Sequence, residues 1–133
     1  MGDALMRIGE VAERTGLSLR TIRHYDDVGV VRPSARSQGG FRLYTEADVD
    51  RLLLIKRMKP LDFTLEEIKD LLSVLDGLDA APEDERARAE LLRRLDEYHT
   101  SATERSAELR KKLMAAEEFA ERLGEQRAQY RSP

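Results

Sequence analysis

The chain has 133 residues and carries 26 acidic against 23 Lys and Arg side chains, for a formal net charge of −3. That length allows one small domain with an appendage. It contains no cysteine, which excludes disulfides, zinc–thiolate sites, iron–sulfur clusters and thiol chemistry. Nothing near the N-terminus reads as a signal peptide, and the longest apolar run, LLLI at 52–55, is far too short to span a membrane. The expectation is a soluble cytoplasmic protein with no membrane association.

RIGEVAERTG predicts a short helix with Ile8, Val11 and Ala12 on one face and Gly16 as its stop. LSLRTIRHYDDVG predicts a second helix, with Ser18 as N-cap and Gly29 at its end. Two short helices around a tight glycine turn, at about 9–28, form the helix-turn-helix pattern. Leu17, Ile22 and Val28 face inward in this reading, leaving Arg20, Thr21, Arg23 and His24 outward. Pro33 then forbids a helix interior. Gly39-Gly40 supplies the positive φ of a hairpin turn, and FRLY alternates as a strand does, giving a two-stranded wing.

Thr45 and Asp48 predict a capping pair opening the next helix, which Pro60 ends or kinks. Thr64 and Glu67 repeat the device, with Leu65, Ile68, Leu71, Leu72 and Leu75 as an apolar stripe and Gly77 as the stop. Residues 77–82 read as a linker. From Pro82 onward one long helix is expected, on the order of 70 Å in length. Leu95, Ala102, Leu109, Ala116, Leu123 and Tyr130 recur every seven residues. Leu92, His99, Ser106, Leu113, Ala120 and Arg127 precede each by three. This is a heptad seam, imperfect at His99, Ser106 and Arg127, and most simply pairs with itself in a homodimer. A metal at His99 is disfavoured because no second ligand type clusters near it.

The charge is unevenly placed. Arg14, Arg20, Arg23, Arg32, Arg36 and Arg42 are opposed only by Asp26 and Asp27 within 14–44. Arg51, Lys56, Arg57 and Lys59 follow with no acid between them. A locally basic face can bind nucleic acid on an acidic chain, because the phosphates respond to the nearby field and more distant charge is screened over about 10 Å. An enzyme lacks parts here: the histidines are His24 and His99, and no Gly-rich phosphate loop is present.

The blocks IGEVAERTGLSLRTIRHYD, GFRLYTEADVDRL and LDFTLEEIKDLL, within about 6–75, resemble the MerR family of transcriptional regulators in sequence and spacing. The resemblance implies a mainly α fold: a winged helix-turn-helix DNA-binding domain at 1–76, and a long dimerisation helix at 83–133 forming an antiparallel coiled coil in the dimer. It implies a homodimer on a pseudo-palindromic promoter site that distorts double-stranded DNA and lets RNA polymerase initiate. Carried onto this sequence, the expected DNA-binding residues are Ser18, Arg20, Thr21, Arg23, His24, Tyr25, Arg36, Arg42, Tyr44, Lys56 and Arg57. The expected dimerisation residues are Leu92, Leu95, His99, Ala102, Leu109, Leu113, Ala116, Ala120 and Leu123.

Asp62 stands where the family often has Gly, and Asp tolerates positive φ better than most residues. Metal-sensing members use cysteines absent from this chain, and drug-sensing members carry a C-terminal ligand domain. No cofactor is expected, and any effector would sit at the dimer interface. The alternatives are an architectural or excisionase-like DNA-bending protein, or a regulator acting through a protein partner on the long helix.

Overall fold

The structure, a computed structural model, describes residues 4–131. Residues 1–3 and 132–133, the outer ends of the two expected domains, lie outside the described residues. In chain order the elements are β1 (Met6–Arg7), α1 (Ile8–Thr15), α2 (Leu19–Asp27), β2 (Ala35–Arg36), β3 (Arg42–Tyr44), α3 (Glu46–Met58), a 3-10 turn (Lys59–Leu61), α4 (Leu65–Asp79) and α5 (Glu85–Arg131).

α1 and α2 form the expected helix-turn-helix. Gly16 sits at φ 73° and donates to the Ala12 carbonyl at 2.9 Å, a left-handed C-cap that costs glycine little. Ser18 Oγ accepts from the Thr21 N–H at 3.1 Å and starts α2. Thr15 is buried and fastens the turn: its Oγ1 donates to the Val11 carbonyl at 2.8 Å and accepts from the Leu17 N–H at 3.2 Å. Val11 and Ile22 are fully buried and press the two helices onto one core with Tyr25, Val31, Tyr44, Val49, Leu52, Ile55 and Ile68.

The wing has a third strand. β3 pairs antiparallel with β2, as expected, and also with β1, giving the order β1-β3-β2. A strand as short as Met6–Arg7 carries too few residues to show an alternation in sequence. At the hairpin tip, the positive φ belongs to Gly40 (82°), whose N–H donates to the Ser37 carbonyl at 2.9 Å.

Both capping boxes are present. Thr45 Oγ1 accepts from the Asp48 N–H while Asp48 Oδ2 accepts from the Thr45 N–H; Thr64 and Glu67 do the same for α4. α3 ends at Met58, Pro60 lies within the 3-10 turn, and Asp62 takes the left-handed conformation at φ 60°.

Gly77 does not close α4. The helix runs on to Asp79, and Ala81 at φ 50° makes the turn instead. A Cβ on Gly77 would lie 2.9 Å from Leu91 Cδ1, so the missing side chain admits α5 close against α4. The segment between the helices is therefore shorter than the 77–82 expected, and α5 starts at Glu85, where Asp84 Oδ1 accepts from the Arg86 N–H at 3.0 Å.

α5 has 47 residues and is about 70 Å long. Roughly its first six turns are fastened to the head, as far as Arg105. Arg94 pairs with Asp70, and Tyr98 donates its hydroxyl to the same carboxylate at 2.7 Å. Arg105 lies 4.0 Å over the Phe63 ring, donates to the Leu61 carbonyl at 3.1 Å and pairs with Glu67 at 3.2 Å. Leu95 and Ala102, read from sequence as seam residues, pack against the head's own core. One heptad stripe thus serves the chain's own domain for its first turns. Burial, which decides this, depends on where α4 lies and not on the period alone. Beyond Arg105 the helix is exposed along its length, apart from the half-buried Gly124.

Candidate nucleic-acid interface

α2 presents its outer face to solvent. Arg20, Arg23 and His24 are exposed, and Thr21 is half-buried at the first turn. Among the described residues, Arg20 and Arg23 enter no ion pair or side-chain hydrogen bond. Ser18 Oγ donates to Thr21 Oγ1 at 2.9 Å, so both hydroxyls stand together at the helix start. Tyr25 is 4% exposed and its ring lies 6.0 Å from that of His24. Burial raises its phenol above the ordinary range. Together with Arg20, Thr21, His24, Lys59 and Leu65 it lines a recess between α2 and the 3-10 turn. Lys59, counted in the basic run, was not among the expected DNA-binding residues because nothing in the sequence shows the 3-10 turn bringing it beside the recognition helix.

The structure sorts the head's other cations by what they already hold. Arg14, in the last turn of α1, pairs with Glu46 at the start of α3 at 2.5 Å. Arg51 pairs with Asp76 of α4, not with Asp48 of its own helix. Lys56 donates to the Thr15 carbonyl at 2.8 Å, capping the C-terminus of α1. Arg36 and Arg42 both reach Asp26, at 3.1 and 2.7 Å, and Arg42 also approaches Asp27 at 3.8 Å. The hydrogen bond to Asp26 raises the Arg42 pKa further. Arg57 is exposed and enters no ion pair among the described residues.

This arrangement bears on several of the expected DNA contacts. Tyr44 is fully buried at the wing base, where burial pushes its phenol up, and its hydroxyl has no hydrogen-bond partner. A phosphate contact through that hydroxyl is closed off. Lys56 serves the helix-turn-helix itself. Arg36 and Arg42 are engaged on α2 and are not free cations of the wing. Sequence alone showed six arginines against two aspartates but not which carboxylate each would find.

The seam residues that do not pack on the head are uncovered within the chain. Leu92 is 40%, Leu109 47%, Leu113 58% and Leu123 48% exposed, and His99, Ala116 and Ala120 are exposed as well. Phe119, at 64%, flanks the same stripe.

The family description "MerR HTH family regulatory protein" matches residues 6–75, and "MerR, DNA binding" matches 49–130. The chain belongs to the MerR family. It is 47% identical over 70 residues to the mercuric resistance operon regulatory protein of Bacillus cereus and 42% identical over 81 residues to the HTH-type transcriptional regulator HmrR of Rhizobium leguminosarum. These matches cover 53% and 61% of this chain. The chain spans 53% and 62% of those two relatives' own lengths. Its fold is also that of HiNmlR, described as a MerR family regulator lacking the sensor domain and solved bound to promoter DNA. There the TM-score is 0.70 at 22% identity, covering 94% of each chain. The comparisons agree with the MerR resemblance read from the three sequence blocks. Among the described residues no helix is long and apolar enough to cross a membrane.

Proposed function

We propose that the chain is a homodimeric, sequence-specific DNA-binding transcriptional regulator of the MerR type, acting without catalysis at a promoter in the bacterial cytoplasm. The observation that carries this is the partition of its cations. Ion pairing and capping engage Arg14, Arg36, Arg42, Arg51 and Lys56, whereas the unpaired set includes Arg20 and Arg23 on the recognition helix, with Arg57 and Lys59 at its flank. Arginine can grip guanine through two hydrogen bonds, and Thr21 and His24 can bond or pack on base edges. Tyr25, Arg57 and Lys59 supply backbone contacts that fix the register.

The dimer rests on α5. An isolated helix gains little from propensity alone, and burial of an apolar face does most of the stabilising. Leu109, Leu113, Ala116, Ala120 and Leu123 form such a face beyond the head, and a second antiparallel copy is the simplest cover. Two heads joined this way present two recognition helices, and the distortion of the DNA and the engagement of RNA polymerase follow from the family reading.

The test is selection of a binding site from random duplexes, then gel shifts with Arg23→Ala. Specific affinity should fall by about 1–3 kcal/mol with relaxed choice at one base pair per half-site. Equal losses on cognate and random DNA would remove Arg23 from base reading. Selection of no preferred sequence would remove the function itself.

A further inference from the structure

We propose that Asp26 is the positioning residue for the wing: it fixes the angle between the hairpin and α2, and it withholds Arg36 and Arg42 from the DNA phosphates. This rests on the DNA-binding reading above. Asp26 lies next to the last residue of α2, with its side chain 6% exposed. Arg36 on β2 and Arg42 on β3 are directly opposite each other in the hairpin register. Like charges opposed across strands repel, and the pair is placed so that both guanidiniums reach the same oxygen, Asp26 Oδ2. Arg36 also donates to the Gly40 carbonyl at 3.3 Å, so the same side chain ties down the hairpin tip.

The backbone between α2 and β2 offers no regular structure to set this angle, and its hydrogen bonds fold Gly29, Val30 and Val31 back onto the end of α2. The side-chain junction ties the hairpin to the recognition helix across that segment, beside the core that Tyr44 shares with Ile22 and Tyr25. Pulling either arginine away to a phosphate would leave a buried carboxylate short of its partner, which is costly. The wing therefore carries less free positive charge than its sequence suggests. In return, its backbone and tip are held in fixed register with the base-reading residues, and phosphate contacts serve specificity only when they are so registered.

The experiment compares Asp26→Asn with Asp27→Asn in the full chain. Asp27 is the exposed neighbour, and its substitution changes the net charge equally. Each cation freed to neutralise a phosphate steepens the salt dependence by about 0.9 in log–log slope. Relative to Asp27→Asn, Asp26→Asn should steepen that slope by about one to two units on random DNA. It should lower the ratio of specific to random affinity by about tenfold or more. Without DNA, it should open the hairpin to trypsin after Arg36 and Arg42, and Asp26→Glu should restore part of the protection.

Equal slopes and ratios for the two variants, with the hairpin still resistant, would overturn the proposal. Arg36→Met, at a half-exposed site, gives the answer if Asp26→Asn fails to fold. An unchanged salt slope supports the proposal, and a slope shallower by about one unit would show that Arg36 was on a phosphate all along. The tryptic readout uses no DNA, so failure of the clamp is distinguishable from failure of the DNA-binding reading.

Discussion

Replacing Tyr44 with Phe should stabilise the protein. The ring is fully buried, and the hydroxyl has no hydrogen-bond partner within the chain. Burying an unpartnered hydroxyl costs roughly 1–3 kcal/mol by mutational measures. Phe keeps the ring, so no cavity opens and the apolar contacts with the core remain. The expected gain is about 1–2 kcal/mol. For a chain of this size each kcal/mol moves the melting temperature by roughly 3–5 °C, so Tyr44→Phe should melt about 3–10 °C higher. Thermal unfolding followed by circular dichroism, with urea titration to check that the m-value is unchanged, measures this directly. DNA affinity should not fall, since a buried hydroxyl makes no phosphate contact. Destabilisation by about 1 kcal/mol would refute the reasoning by showing that the hydroxyl is satisfied. A loss of DNA affinity without a stability change would return Tyr44 to the interface.

Leu109→Glu should leave the head folded and make the protein monomeric, because Leu109 is half exposed within the chain and its burial is assigned to the second copy. Light scattering and gel shift on one preparation decide this, and a persisting dimer would move the seam elsewhere. Glu67 is held below the usual carboxylate range, first by the Thr64 backbone N–H and also by Thr64 Oγ1 and Arg105. A depressed carboxylate contributes stability above its unfolded pKa of about 4.3, and that stability is lost as pH falls through the folded value. Glu67→Gln should therefore melt lower than the parent near pH 6, with the gap closing by about pH 3; a gap independent of pH would count against the capping and pairing role. Tyr98 is pushed up to about 12 by burial first and then by its hydrogen bond to Asp70. Its raised value contributes stability that is present below about pH 10 and lost as pH rises toward 12. Tyr98→Phe should flatten the alkaline fall in stability and remove a late-titrating phenol from the ultraviolet titration; an unchanged profile would place that titration on another tyrosine.

The elements that could be read from sequence are those whose signals are local. Thr45 with Asp48, Thr64 with Glu67, and Ser18 before its helix all announce helix starts through contacts within four residues, and all three caps form. Gly16 announces a left-handed turn in the same way, and Asp62 keeps the one expected from the family's frequent Gly there. What sequence hid depends on partners far along the chain. Gly77 looked like a stop, yet it is a gap for Leu91. β1 needed β3 to exist at all. Leu95 and Leu109 share one heptad phase, but the first rests on the chain's own core and the second is bare. The candidate interface divides similarly. The outward face of α2 follows from helical period, whereas the fates of Tyr44, Lys56, Arg36 and Arg42 were set by tertiary neighbours.

Because the head is strapped to the start of α5 through Asp70, Glu67 and Leu61, and free of it beyond Arg105, the helix is a ruler with one end fixed. In the proposed dimer, the residues between Arg105 and the centre of the seam set both how far each head stands from the symmetry axis and which way it faces. Seven residues inserted there would carry a head outward by about 10 Å while turning it only about 20°. Four would carry it about 6 Å and turn it by about 40°. Spacing and facing on the duplex are thus written into one length of chain, so a lineage could move between half-site separations by whole heptads without altering a residue that touches a base.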